Sequence, residues 1–145
     1  MVNDNIKNKS QSYWLSSTPT TNYPTLDKDI DVDIVIVGGG LAGISCAYLL
    51  QKEGYKITVL EADRICQGAT AHTTAKIASQ HGLIYSKIKT QLGKEMAKQY
   101  AEANETAISE IKKIIDEHQI DCDYISQPAF VYTEQEKYIK QIEEE

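Results

Sequence analysis

The segment that most constrains this chain is residues 33–61, DIVIVGGGLAGISCAYLLQKEGYKITVLE. Residues 33–37 are a short β-branched run that predicts a buried parallel strand. Three glycines follow, and residues 41–53 then place Leu41, Ile44, Ala47, Tyr48 and Leu50 at helical spacing. Gly54 supplies a helix stop. Residues 56–60 (KITVL) predict a second buried strand with Glu61 at its C-terminal end. Strand, G-x-G-x-x-G, helix, strand and acid in that order predict a β-turn-α-β unit that binds a dinucleotide.

Each residue type has a physical task in that reading. Gly38 allows the tight turn out of the strand. Gly40 has no Cβ, so a pyrophosphate can approach the backbone, and Gly43 lets the helix pack close to the strand. Gly39 adds flexibility that the pattern does not require. The N–H groups of the first helical turn face the phosphates, and the helix dipole favours their charge. The Glu61 carboxylate accepts hydrogen bonds from ribose hydroxyls and would repel a 2′-phosphate, which disfavours NADP. The bland alternative is a glycine-rich turn without ligand and a solvated Glu61.

Beyond Glu61, residues 62–82 are rich in small and hydroxyl residues and predict a loop leading into a short helix or irregular segment. Gly68, Ala69 and Thr70, then His72, Thr73 and Thr74, suit a second phosphate contact of the kind a long flavin dinucleotide needs; a polar surface loop is the plainer reading. Residues 83–92 predict a helix with Ile84, Ile88 and Leu92 in register, broken at Gly93. A longer helix over about 94–118 carries Met96, Tyr100, Ala103, Ala107, Ile111, Ile114, Ile115 and His118. Residues 121–126 and 129–133 predict two strands around Gln127 and Pro128. Residues 134–145 predict a charged helical stretch. At the other end, residues 1–12 read as polar and mobile, and 13–30 as an extended arm anchored by Tyr13 and Trp14.

Charge and cysteine usage remove several function classes. The 145 residues carry 15 Lys+Arg against 21 Asp+Glu, a net charge of −6, so no basic patch supports nucleic-acid or anionic-membrane binding. The three cysteines, Cys46, Cys66 and Cys122, are widely spaced without a C-x-x-C pair. They predict reduced thiols in a cytoplasmic protein rather than a disulfide framework or a metal site. Cys46 reads as a small packed core residue. No apolar run is long enough for a transmembrane segment, and the N-terminus lacks a secretory h-region.

The stretch DIVIVGGGLAGISCAYLLQKEGYKITVLEADRICQGAT resembles the N-terminus of FAD-dependent oxidoreductases of the glycine oxidase and D-amino-acid dehydrogenase (DAO) class. HTTAKIASQHGLIY and the upstream SYWLSSTPTTNYPTL resemble a bacterial subgroup that carries a C-terminal Rieske [2Fe–2S] domain. The resemblance implies an α/β, Rossmann-like FAD/NAD(P)-binding domain, truncated, followed by helices and the start of a substrate domain. It implies an arm at 1–30, an FAD-binding βαβ unit and cofactor loop at 31–82, and the helical start of an incomplete substrate-binding domain at 83–145.

By position, the resemblance puts Gly38, Gly40, Leu41, Ala42 and Gly43 at the FAD pyrophosphate. It puts Glu61 at the adenosine ribose, with Ala62 and Arg64 beside the adenosine half. Ala69, Thr70, Thr73 and Thr74 match a segment running along the pyrophosphate toward the flavin. The implied reaction is hydride transfer from the C–N bond of an amine or amino acid to flavin, with oxygen, a quinone or the Rieske centre as acceptor. No catalytic residue is named. His81 and Lys76 are candidates to approach the flavin, with a hydrogen-bonded loop histidine and a solvated lysine as the plainer readings. Nothing distinguishes His72, His81 or Cys66 as a flavin tether.

Such enzymes run to several hundred residues, and this chain lacks the C-x-H and C-x-x-H ligands of a Rieske cluster. The expectation is a fragment that by itself binds FAD weakly or not at all and is inactive. An NAD-linked dehydrogenase domain and a non-catalytic nucleotide-binding module or gene remnant stay open as alternatives.

Overall fold

The structure, a computed structural model, describes residues 11–145. The mobile segment expected at 1–12 lies almost wholly outside the described residues. The chain divides into two compact units, one ending at Ala75 and the other running from Lys76 to Glu145.

In the first unit, β1 (Ile34–Val37) and β2 (Ile57–Leu60) pair in parallel, with Ile34 opposite Ile57 and Val37 opposite Leu60. Asp33 sets the register. Its N–H donates to the Lys56 carbonyl at 2.9 Å and its carboxylate accepts the Lys56 N–H at 2.8 Å. Between the strands runs α2 (Leu41–Lys52), which supplies the crossover connection that parallel pairing requires. The sheet is not buried on both faces as the apolar run predicts. Ile34 and Ile36 are half-buried, whereas Val35 and Val37 are 50% and 85% exposed. One helix covers one face of two strands, so alternate residues of β1 face solvent, while all four residues of β2 are half-buried. Leu41 and Cys46 are likewise exposed, so Cys46 is not a core residue.

The arm is not wholly extended. Residues Tyr13–Ser17 form a short helix, α1, and chain without regular secondary structure follows it up to β1. After β2, the loop closes into a single 3-10 turn, Ala69–His72.

The second unit is built on α3 (Ile84–Leu92) and α4 (Lys94–His118), separated at Gly93, which adopts φ +91°. Leu83 caps α3 with no side-chain bond. The Glu145 carboxylate takes over, accepting the Tyr85 and Ser86 N–H groups at 3.0 and 2.7 Å. The half-buried face of α4 runs through Ala97, Tyr100, Ala101, Asn104, Ile108, Ile111 and Ile115. That face shares Tyr100, Ile111 and Ile115 with the predicted stripe, and Ile114 of the stripe is half-buried too, whereas Met96, Ala103, Ala107 and His118 are exposed. Leu92 is 64% exposed and Ser86 takes the buried place on α3.

Residues 121–126 and 129–133 form no strands; they are irregular, with Asp123 at φ +51° and Ile125, Phe130 and Tyr132 more than 70% exposed. Alternating β-formers need a partner strand to accept their backbone bonds, and none is present among the described residues. The predicted terminal helix shortens to a 3-10 turn at Glu136–Tyr138 and α5 at Ile139–Glu143. Among the described residues, no helix is long and apolar enough to cross a membrane.

Candidate functional site at the glycine turn

The β1–α2 turn is shaped by close approach on three sides. Gly38 adopts φ +101°, a region costly for residues with a Cβ, and its N–H extends the ladder to the Leu60 carbonyl at 2.7 Å. A Cβ on Gly43 would lie 2.0 Å from the Gly38 carbonyl oxygen. The helix therefore packs backbone to backbone against the turn, which is the close approach the third glycine predicts. Gly40 forms the N-cap of α2 in extended conformation, and its missing side chain leaves space in which the nearest atom is the Thr70 hydroxyl, at 3.3 Å.

Gly39 was underrated by the pattern. It is buried, and a Cβ there would lie 2.7 Å from Ile65 Cγ2 and 3.3 Å from Glu61 Cβ. Its carbonyl accepts the Cys66 N–H at 2.8 Å, while its N–H donates to Glu61 Oε2 at 2.7 Å. The signal that would have found it is the apolar Ile65 in an otherwise polar loop following the acid. Cys66 itself turns the chain at φ +58°.

Glu61 therefore does more than end a strand. Its second oxygen accepts the Asp63 N–H at 3.1 Å. The Gly39 bond, then that from Asp63 and a further contribution from Ala62, hold the carboxyl below the usual carboxylate range against a small opposing effect of burial. The group is exposed and stays ionised at neutral pH, with lone pairs left to accept further donors.

The helix N-terminus is completed from a distance. No side chain of the N-cap residue bonds to α2, and the Leu41 N–H instead donates to Thr70 Oγ1 at 3.0 Å. Thr70 and Ala69 lie on the 3-10 turn, which thus sits against the glycine turn. Thr73 follows it, its hydroxyl accepting the Ala75 N–H at 3.3 Å, and Thr74 is exposed. Gly38, Gly40, Leu41, Gly43, Glu61 and Thr70 are brought together. Ala42, Ala62 and Ala69 are exposed around them. Arg64 turns to the arm, donating to the Thr21 carbonyl at 3.4 Å.

The remaining candidates are accounted for locally. His72 Nδ1 lies 2.9 Å from the Gly68 carbonyl oxygen. In the second unit, His81 Nδ1 lies 3.2 Å from the Tyr100 hydroxyl, and Lys76 is exposed. No cluster of three metal-ligating side chains occurs among the described residues.

A pyrophosphate fits this cradle by its chemistry: open space at Gly38, where no atom lies within 4 Å of the missing Cβ, a Gly40 bounded there only by the Thr70 hydroxyl, and a helix N-terminus lacking an acidic first turn. Residues 33–145 match the family "FAD dependent oxidoreductase" (DAO). Over 139 residues, 96% of the chain, it is 43% identical to the Bacillus subtilis protein YhfW, named as a Rieske 2Fe-2S iron-sulfur protein, and covers 27% of that protein. It is 30% identical over 122 residues, 84% of its length, to gamma-glutamylputrescine oxidoreductase of Escherichia coli, covering 29% of that enzyme. A 45-residue stretch, 30% of the chain, is 49% identical to an L-amino-acid oxidase of Echis ocellatus, covering 9% of it. No solved structure matches. The chain thus spans under a third of the length of the curated relatives it matches. By the family match over residues 33–145, it belongs to the DAO family of FAD-dependent oxidoreductases, whose members share a Rossmann-like dinucleotide-binding fold.

Proposed function

We propose that this chain is the FAD-binding part of an oxidoreductase that transfers a hydride from the C–N bond of an amine or amino acid to flavin. The observation that carries the reading is the βαβ unit in which Glu61 is tied to Gly39 beside the N-terminus of α2. The N-terminus of α2, at Leu41, Ala42 and Gly43, takes the pyrophosphate together with Gly38 and Gly40; Thr70 Oγ1 accepts the Leu41 N–H and keeps its own hydroxyl proton to donate to a phosphate oxygen. Glu61 accepts from the adenosine ribose, with Ala62 and Arg64 on that side. Ala69, Thr70, Thr73 and Thr74 line the path toward the flavin.

FAD, when bound, supplies the hydride acceptor; the protein positions the reactants and excludes side reactions. The residues of this chain supply binding and orientation. Helix-end amides favour the phosphate charge, and an ionised Glu61 accepts two ribose hydroxyls while rejecting a 2′-phosphate. Residues 83–145 are read as the start of the substrate-binding part, and the Rieske-named relative makes an iron–sulfur centre a candidate electron acceptor.

Titration of the purified chain with FAD and with NAD, followed by calorimetry and flavin fluorescence, tests this reading. Saturable FAD binding, weak but tighter than NAD, is expected. Glu61→Gln should weaken it about tenfold, the loss of a charge-assisted hydrogen bond. Saturable NAD binding without flavin affinity would overturn the assignment.

A further inference from the structure

The segment before the first strand makes contacts that the dinucleotide pattern does not use. The Ser12 hydroxyl donates to the Ala71 carbonyl, and Trp14 Nε1 donates to the Thr73 carbonyl at 2.9 Å. The Tyr13 ring meets Trp14 edge-on, with centroids 5.1 Å apart. Ala71, at 3% exposure, is the one buried apolar side chain among the described residues apart from glycine. The two carbonyls belong to residues on either side of His72, at the end of the 3-10 turn that carries Thr70. Thr70 is the residue whose hydroxyl accepts the Leu41 N–H and lies 3.3 Å from where a Gly40 Cβ would stand.

A loop of small and hydroxyl residues has little side-chain packing to hold it. Loop 62–75 is fixed to the sheet unit at Gly39, through Cys66 and Glu61, and again at Leu41. Past Thr70, the clamps are those of the arm. A hydrogen bond from Trp Nε1 is directional, and the indole adds apolar cover at low conformational cost.

We infer that Ser12 and Trp14 are positioning residues: they clamp the Ala71 and Thr73 carbonyls so that the Thr70 hydroxyl stays on the N-terminus of α2, where the phosphates of the dinucleotide are to bind. The arm contacts no phosphate itself; it acts through Thr70. Its second consequence, on cofactor affinity, rests on the flavin reading above.

The test separates the two. The solvent-exchange rate of the Leu41 amide, measured by NMR on the ligand-free full chain, reports the Thr70 bond without any cofactor. Trp14→Phe keeps the ring and loses the donor, and Ser12→Ala loses the other. In the double variant, Leu41 exchange should rise about fivefold, as the net loss of one hydrogen bond predicts, while the Ile34 and Gly38 amides, which donate to the Lys56 and Leu60 carbonyls, keep their rates. Thr70→Val should raise the Leu41 rate at least as much, and Thr70→Ser should keep the native rate. FAD affinity should fall by a similar factor in the double variant. An unchanged Leu41 rate in the double variant, with a raised one in Thr70→Val, overturns the clamp. If the native chain takes NAD and no FAD, the flavin reading fails, and the exchange rates still decide the clamp.

Discussion

At the scale of single residues, the glycine turn is held by contacts that differ in how far they can yield. A methyl on Gly39 meets Ile65 Cγ2 at 2.7 Å, a branched side chain with little room to move aside. Gly39→Ala should therefore cost about 1–3 kcal/mol by overpacking. Ile65→Ala should recover part of that cost, so that chemical denaturation of the four-member cycle shows coupling of about 1 kcal/mol. Glu61 adds a pH dependence. Its folded pKa lies below the ordinary value, so its contribution is complete above the unfolded pKa and is lost as pH falls through the folded one. Thermal melts should show native protein above Glu61→Gln at neutral pH, with the gap closing only as pH falls below the ordinary carboxylate range and through the lowered folded pKa. The roles of Gly38 and Gly43 were legible because they follow from backbone geometry within one motif. Gly39 was not, because its constraint comes from Ile65, on a loop whose path no spacing rule encodes.

At the scale of elements, periodicity located the helices well and their faces less well. The bounds of α4 coincide with the predicted 94–118, because Gly93 and the end of the apolar repeat both punctuate the sequence. The packed face is another matter. The apolar repeat at steps of three and four takes in Met96, Ala103 and Ala107, which are exposed, and passes over Ala101, Asn104 and Ile108, which are half-buried. Small residues fit either line, so the side chain opposite decides, and that is tertiary information. Ile108→Ala should lower stability by about 1–2 kcal/mol, less than a fully buried isoleucine. Met96→Ala, at 46% exposure, should stay within about 0.5 kcal/mol. Midpoints of urea unfolding compare them directly. The two expected strands in 121–133 failed for a related reason: alternation describes a surface to be paired, and pairing is a property of the partner. The cap of α3 was equally hidden, since the carboxylate that accepts its first N–H groups comes from Glu145. Glu145→Ala should cost about 1 kcal/mol, the usual loss of a helix cap, read from the same midpoints.

At the scale of the whole molecule, the cofactor site and the long helix pair fall in different compact units. Every contact that shapes the glycine turn, from Gly38 and Leu60 to Gly39 and Glu61 to Leu41 and Thr70, lies before Ala75. The α3–α4 packing and the Glu145 cap lie after it. A lesion confined to the turn should therefore act on one set of amides. Gly43→Ala is the sharpest choice, because its methyl would stand 2.0 Å from a backbone oxygen, and only separation of α2 from β1 relieves that. The helix–sheet contact is the main apolar packing of the first unit, so its loss should open both strands. Hydrogen exchange read residue by residue should then accelerate across Ile34–Val37, Leu41–Lys52 and Ile57–Leu60. Protection in Lys94–His118 should keep its native value, since local and sub-global openings follow contiguous packing. Equal acceleration in both units would show instead that the chain opens as a single cooperative body, with the second unit depending on the dinucleotide fold for its own stability.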